Sequence, residues 1–125
     1  MTIAKALERA DQLKPNMVKR KMKIDWLSEL DGLLHREIIL KHEHTEEQDT
    51  FTGYNEETDQ GQELLAPFPY DEIYTFWLLS KIDLNNMEYD RYSNDRILFN
   101  NAYDTLSDYW TREHMPITYA EELRI

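Results

Sequence analysis

The chain contains no cysteine, which removes disulfides, thiolate metal ligands and thiol nucleophiles together. Glycine and proline are scarce, three and four in 125 residues, too few for the many tight turns of a sandwich or barrel. No apolar run approaches the roughly 20 residues that span a bilayer. The first nine residues mix charge into apolar positions and lack a signal-peptide core, so a cytoplasmic protein is expected. The most uneven absence is of positive charge. Between Lys41 and Lys81 there is neither Lys nor Arg but ten acids: Glu43, Glu46, Glu47, Asp49, Glu56, Glu57, Asp59, Glu63, Asp71 and Glu72. The net charge of −11 therefore belongs almost entirely to one central segment. Such a balance disfavours phosphate-backbone binding, which needs bases to displace condensed counterions.

What is present reads as helix. Ile3, Leu7, Ala10 and Leu13 step by three and four, the spacing of one helical face. Thr2 is placed to cap this helix, and Pro15 biases Lys14 out of helical angles, which ends it. Asn16 is the expected cap of a second helix over 18–41, with Ile24, Leu27, Leu30, Leu34 and Ile38 as its stripe and Trp26, Leu33 and Leu40 alongside. Gly32 lies inside this helix at a cost of about 1 kcal/mol relative to Ala; it marks either a close helix–helix approach or a tolerated defect.

Residues 42–66 form a polar, acidic insertion in which Phe51-Thr-Gly-Tyr54 and Glu63-Leu-Leu-Ala66 are the pieces able to pair as a short β-hairpin. The composition of residues 43–63 predicts the most mobile and protease-sensitive part of the chain, because it offers little apolar area to offset chain ordering. Pro67 and Pro69 announce a third helix over about 70–84, with Pro69 near its first turn and Asp71 and Glu72 favoured by the helix dipole. A fourth helix over about 87–113 carries Tyr92, Arg96, Phe99, Tyr103, Leu106 and Trp110 at steps of three and four. Pro116 stops it, leaving a tail over 116–125 in which Thr118-Tyr-Ala-Glu121 has capping-box spacing. The expectation is a single all-α domain over 1–125, a bundle of about four helices with the insertion between the second and third.

Reactive constellations are hard to assemble from these residues. His42 and His44 share a side only in an extended segment, since on a helix they diverge by about 200°, and no HExxH motif accompanies them. None of the four histidines has Glu three residues before it, which excludes the paired Glu-x-x-His of di-iron bundles. An EF-hand register begun at Asp49 puts Phe51 and Gly53 where ligands belong. Paired carboxylates remain open to acid–base work, but the central acids have few apolar neighbours to raise a pKa. Ser28, Ser80, Ser93 and Ser107 lack a nucleophile-elbow setting, and no phosphate-binding glycine loop exists. No catalytic, metal or cofactor residue is assigned. The one basic run, Lys19-Arg20-Lys21-Met22-Lys23, reads as exposed first turns of a helix before it reads as a binding patch.

Aromatic residues give the better hint. Phe68, Tyr70, Tyr74, Phe76 and Trp77 crowd one segment, and Tyr89, Tyr92, Phe99, Tyr103, Tyr109 and Trp110 line the next. They occupy more than one face of each helix, and Tyr and Trp off a core stripe are typical of protein contact surfaces. Phe51, Tyr54, Tyr70 and Tyr74 are the interface candidates.

The stretches Trp26-Leu-Ser-Glu-Leu-Asp-Gly32, Phe51-Thr-Gly-Tyr54, Pro69-Tyr-Asp-Glu-Ile-Tyr74, Arg91-Tyr-Ser-Asn-Asp95 and Phe99-Asn-Asn-Ala-Tyr103 resemble small prophage proteins of Gram-positive bacteria, from the head-morphogenesis region. The resemblance runs to Pro116 and implies a head–tail connector or adaptor subunit: mostly helical, packed as a ring beneath the portal, forming part of the DNA exit channel. It implies portal, connector or tail subunits and further copies of itself as partners, no specific nucleic-acid site, no membrane, and a passage from host cytoplasm to virion. It brings no catalytic residues and does not account for the basic run. The alternative is a small cytoplasmic interaction module, a phage-encoded regulator or assembly chaperone. A third class, an enzyme hydrolysing nucleotides with bundle carboxylates, has the least in the sequence to recommend it.

Overall fold

A computed structural model describes residues 1–117; the tail motif Thr118-Tyr-Ala-Glu121 lies outside the described residues. Among the described residues four α-helices make the bundle: α1 (Ile3–Leu13), α2 (Arg20–Glu37), α3 (Glu72–Asn85) and α4 (Tyr89–Glu113). Single 3₁₀ turns occupy Ile39–Lys41 and Glu46–Gln48. Among the described residues there is no strand, only two isolated bridges, Thr2 with Glu63 and His42 with Pro116. The hairpin expected in the insertion is therefore not formed.

The helix ends follow local chemistry with two corrections. Thr2 caps α1, accepting from the Lys5 amide at 3.1 Å, and ahead of Pro15 the backbone of Lys14 turns extended at φ −143°. Asn16 does not cap α2. Its Oδ1 accepts from the Val18 amide at 3.0 Å and its Nδ2 donates to Asp11 and to the Lys14 carbonyl, both at 2.9 Å. It staples the α1–α2 connection instead, and α2 begins after Lys19 without a side-chain cap. Pro69 precedes α3 in a turn and does not sit in its first helical turn, because the helix starts only at Glu72.

Asp31–Tyr74 and Trp26–Trp77 contacts run α2 antiparallel to α3, and Trp77–Phe99 and Tyr70–Tyr109 run α4 antiparallel to α3. The α3–α4 pair is the most extensive packing in the molecule. Ile24, Leu27, Leu30 and Leu34 of α2, Ile73, Leu78 and Ile82 of α3, and Phe99, Leu106 and Trp110 of α4 are all buried, joined by Ile3, Ala6, Leu7 and Ala10 of α1. Arg96 holds its place on the α4 stripe by laying its guanidinium over the rings of Phe99 (4.9 Å) and Trp77 (5.5 Å), a cation–π arrangement that keeps its charge at the edge of the core. Lys14, at the end of α1, pairs with Asp83 and Glu88. That pairing gathers the α1–α2 and α3–α4 connections at one end of the bundle.

Two glycines have opposite roles. A Cβ on Gly32 would meet only the Phe51 ring, at 3.9 Å, so no close helix approach depends on it. Gly53 has φ +86°, and a Cβ there would lie 2.7 Å from Ser28 Oγ. Gly32→Ala should stabilise the fold by about 0.5–1 kcal/mol through helix propensity. Gly53→Ala should destabilise it by more than about 1 kcal/mol, through left-handed strain and displacement of Ser28. Urea midpoints of the two variants check both signs.

Candidate functional site

Asp31 is 0 % exposed, although it is a carboxylate on the apolar face of α2, four residues after Leu27 and three before Leu34. Three donors converge on it. Tyr54 Oη and the Leu65 amide donate to Oδ2 at 2.6 and 3.1 Å, and Tyr74 Oη donates to Oδ1 at 2.6 Å. The Tyr74 oxygen accepts in turn from the Ala66 amide at 2.7 Å. Burial pushes the Asp31 carboxyl above the ordinary carboxylate range, against the bonds from Tyr54, Tyr74 and Leu65 that favour its charge. Burial, followed by the charge of Asp31, pushes both phenols far above the usual tyrosine value. The hydroxyls therefore stay protonated and donate. Since Asp31 is closed to solvent, this carboxylate–phenol cluster is a latch and reaches no substrate.

The latch reassigns two interface candidates. Tyr74 is 0 % exposed and is not a surface contact. Tyr54 is half-buried and held three ways: by its hydroxyl, by its amide on Ser28 Oγ at 2.9 Å, and by its ring, edge-on to Phe51 at 5.3 Å and 82°. Its intrachain role is thus strong, although the sequence made it an interface candidate. The physical reason is Asp31, whose buried charge demands donors. Phe51, half-buried, lies between Tyr54 and the His35 ring (5.9 Å). Tyr70, half-buried, stacks on Tyr109 of α4 at 4.4 Å and 26°.

The sequence reading missed the most prominent aromatic, Phe68, which is 85 % exposed. Its signal was its position between Pro67 and Pro69, where neither helix nor ladder pairing can shelter it. Phe68 and Pro69 wall a groove of about 570 Å³ with Met1, Lys5, Arg9, Asp71 and Glu72. On the far side of Pro69, a shallower recess is lined by Tyr70, Glu72, Ala102 and Thr105.

The histidines are occupied. His42 is buried, with Nδ1 2.6 Å from the Ile38 carbonyl and Nε2 3.0 Å from Thr111 Oγ1, joining the end of the α2 segment to α4. His44 has Nδ1 2.7 Å from the His42 carbonyl and Nε2 2.7 Å from Asp49 Oδ1. Among the described residues no group of three or more His, Asp or Glu is placed to hold a metal ion. No described helix is long and apolar enough to cross a membrane. In the basic run, Lys23 is buried on Asp11 at 2.8 Å, while Lys19, Arg20 and Lys21 are exposed. No known protein family, curated protein or solved structure matches this chain.

Asp31→Ala should destabilise the fold by more than about 3 kcal/mol, since it orphans three donors at about 1–3 kcal/mol each. Asp31→Asn should lose less, because an amide oxygen keeps part of that set. Amide exchange offers the specific readout: Leu65 and Ala66 should be protected in the wild type and released in Asp31→Ala, while residues 55–61 exchange quickly in both. An alanine variant with unchanged protection at Leu65 would contradict the latch.

His44 gives the pH dependence. The His42 carbonyl, with the Asp49 carboxylate, raises its pKa above the ordinary value of 6.5. A raised folded value means the imidazolium stabilises the fold fully below the ordinary histidine value, and the contribution is lost as pH climbs through the raised one. Exchange of the 44–49 amides should therefore accelerate over that window beyond its intrinsic rise, and His44→Gln should flatten the excess.

Proposed function

We propose that this chain is a structural subunit of a phage head–tail connector, docking on the portal and lining or sealing the DNA exit channel. It works by assembly, with no cofactor and no reaction of its own, and passes from the host cytoplasm into the virion. The observation that carries the reading is Phe68. A fully formed bundle holds a large aromatic 85 % exposed on a proline-flanked turn, two residues from Tyr70 and walling a groove. Exposed aromatics on a fixed frame are the expected anchors of a protein interface. The resemblance to prophage head-morphogenesis proteins supplies the kind of partner. The insertion agrees with it, since exposed acids such as Glu46, Glu47, Glu56 and Glu57 suit a channel through which DNA slides without sticking.

Among the four candidates, the reading retains Phe51 and Tyr70 as contacts and assigns Tyr54 and Tyr74 to holding the frame. Phe68→Ala with Phe51→Ala should leave the helical spectrum unchanged. Binding to the purified portal should weaken by about 2 kcal/mol or more, close to thirtyfold, and tail-less particles should accumulate. Normal particle yield from this double variant would remove the connector assignment. A wild-type chain required for assembly yet missing from finished particles would replace it with the assembly-chaperone reading.

A further inference from the structure

We infer that the end of the bundle carrying the α1–α2 and α3–α4 connections is a docking surface for a second copy of this chain, and that it receives the acidic turn around Glu46 and Glu47. The inference rests on the assembly reading above and gives it a specific contact.

The receiving end combines two features. Leu13, Met17, Leu84, Met87 and Tyr89 are all exposed there, Met17 completely and Met87 at 73 %. The pairing of Lys14 with Asp83 and Glu88 brings these residues, from two separate connections, to the same end. At the start of α2, Lys19, Arg20 and Lys21 are exposed, and none of them forms an ion pair among the described residues. An apolar centre beside a charged rim is the composition of an association surface.

The occupant follows from charge and position. Residues 42–80 hold neither Lys nor Arg; Asp49 pairs with His44 and Glu63 with the Met1 ammonium, but two exposed acids of the insertion keep their charge open to another molecule. Glu46 and Glu47 are exposed and have no ion pair among the described residues. Their turn is nevertheless fixed. Gln48 and Thr45 close a capping box, and the Gln48 carbonyl meets His35 Nε2 at 2.8 Å. His35 stands sixteen residues along α2 from Lys19, about 24 Å by helical rise. The two patches are thus too far apart to pair within one chain.

A second copy carries the complement of each. Because the two patches differ and lie at opposite ends, the contact is head-to-tail, the kind that builds rings when its rotation closes. A nucleic acid suits this end poorly. Three bases on a chain of net charge −11 displace few counterions, and five apolar neighbours offer phosphates nothing.

The test uses full-length protein in sedimentation velocity over a salt series. Wild-type association should weaken as salt rises. Lys19→Glu with Lys21→Glu, and separately Glu46→Lys with Glu47→Lys, should each reduce association by about tenfold or more. An equimolar mixture of the two reversed proteins should restore it, which neither misfolding nor a general change of net charge can imitate. Association that survives both reversals overturns this contact and leaves self-assembly through another surface. A mixture that fails to recover overturns it as well. A wild type that is monomeric at every salt concentration overturns it while leaving portal docking, measured separately, intact.

Discussion

The buried charge of Asp31 is the constraint around which the rest is arranged. A carboxylate inside an apolar helix face is unfavourable by several kcal/mol unless its lone pairs are filled. Here they are filled from two elements, α3 through Tyr74 and the insertion through Tyr54 and Leu65. Satisfying one atom group therefore fixes where the insertion enters and leaves the core. Tyr74 extends the arrangement by accepting from the Ala66 amide, so the backbone just before Pro67 is tied down as well. Leu64 and Ala66 bury beside it. A segment with too little apolar area to order itself is ordered by a polar anchor.

That anchor also decides what remains outside. Once Tyr54, Leu64 and Ala66 face inward, Glu46, Glu47, Glu56 and Glu57 are left exposed, while Glu63 pairs with the Met1 ammonium and Asp49 with His44. The insertion's turns close on side chains: Asn55 Oδ1 accepts from the amides of Glu57 and Thr58, and Asp59 Oδ1 from that of Gly61. Such local side-chain bonds compete with a strand ladder, and they replace the hairpin suggested by Phe51–Tyr54 and Glu63–Ala66. The proline turn follows from the same packing. With Ala66 held by Tyr74 and α3 starting at Glu72, residues 67–71 must bridge the gap, and Phe68 is left over it.

Periodicity carried the helices because their stripes are local. Ile24, Leu27, Leu30 and Leu34 announce a face without knowledge of what packs on it, and Pro15 stops α1 by its own geometry. Asp31 was visible too, as an acid in register with Leu27 and Leu34. Its partners were not, because Tyr54 and Tyr74 lie 23 and 43 residues away and no local pattern pairs them. Asn16 illustrates the same limit on a shorter scale. Its side chain suits a helix cap, but its Oδ1 takes the Val18 amide ahead of the helix while its Nδ2 ties Asp11 and the Lys14 carbonyl, so it closes the α1–α2 connection instead. Exposure at Phe68 could have been argued from its two prolines.

The latch bears on binding as much as on stability. Ordering a loop at an interface consumes part of the association free energy, roughly 0.5–1.5 kcal/mol for each rotamer-rich side chain immobilised. In this chain Tyr54 and Leu65 are already immobilised by Asp31, and the Glu46–Gln48 turn by its capping box and His35. The turn that carries Glu46 and Glu47 is thus held before any partner arrives. Charge placed in that way contributes to encounter and orientation without a compensating loss of chain freedom. Glu46 and Glu47 can stay on the outside because their turn is closed by its own capping box and by His35, while Tyr54 and Leu65 are held by the carboxylate buried beneath them.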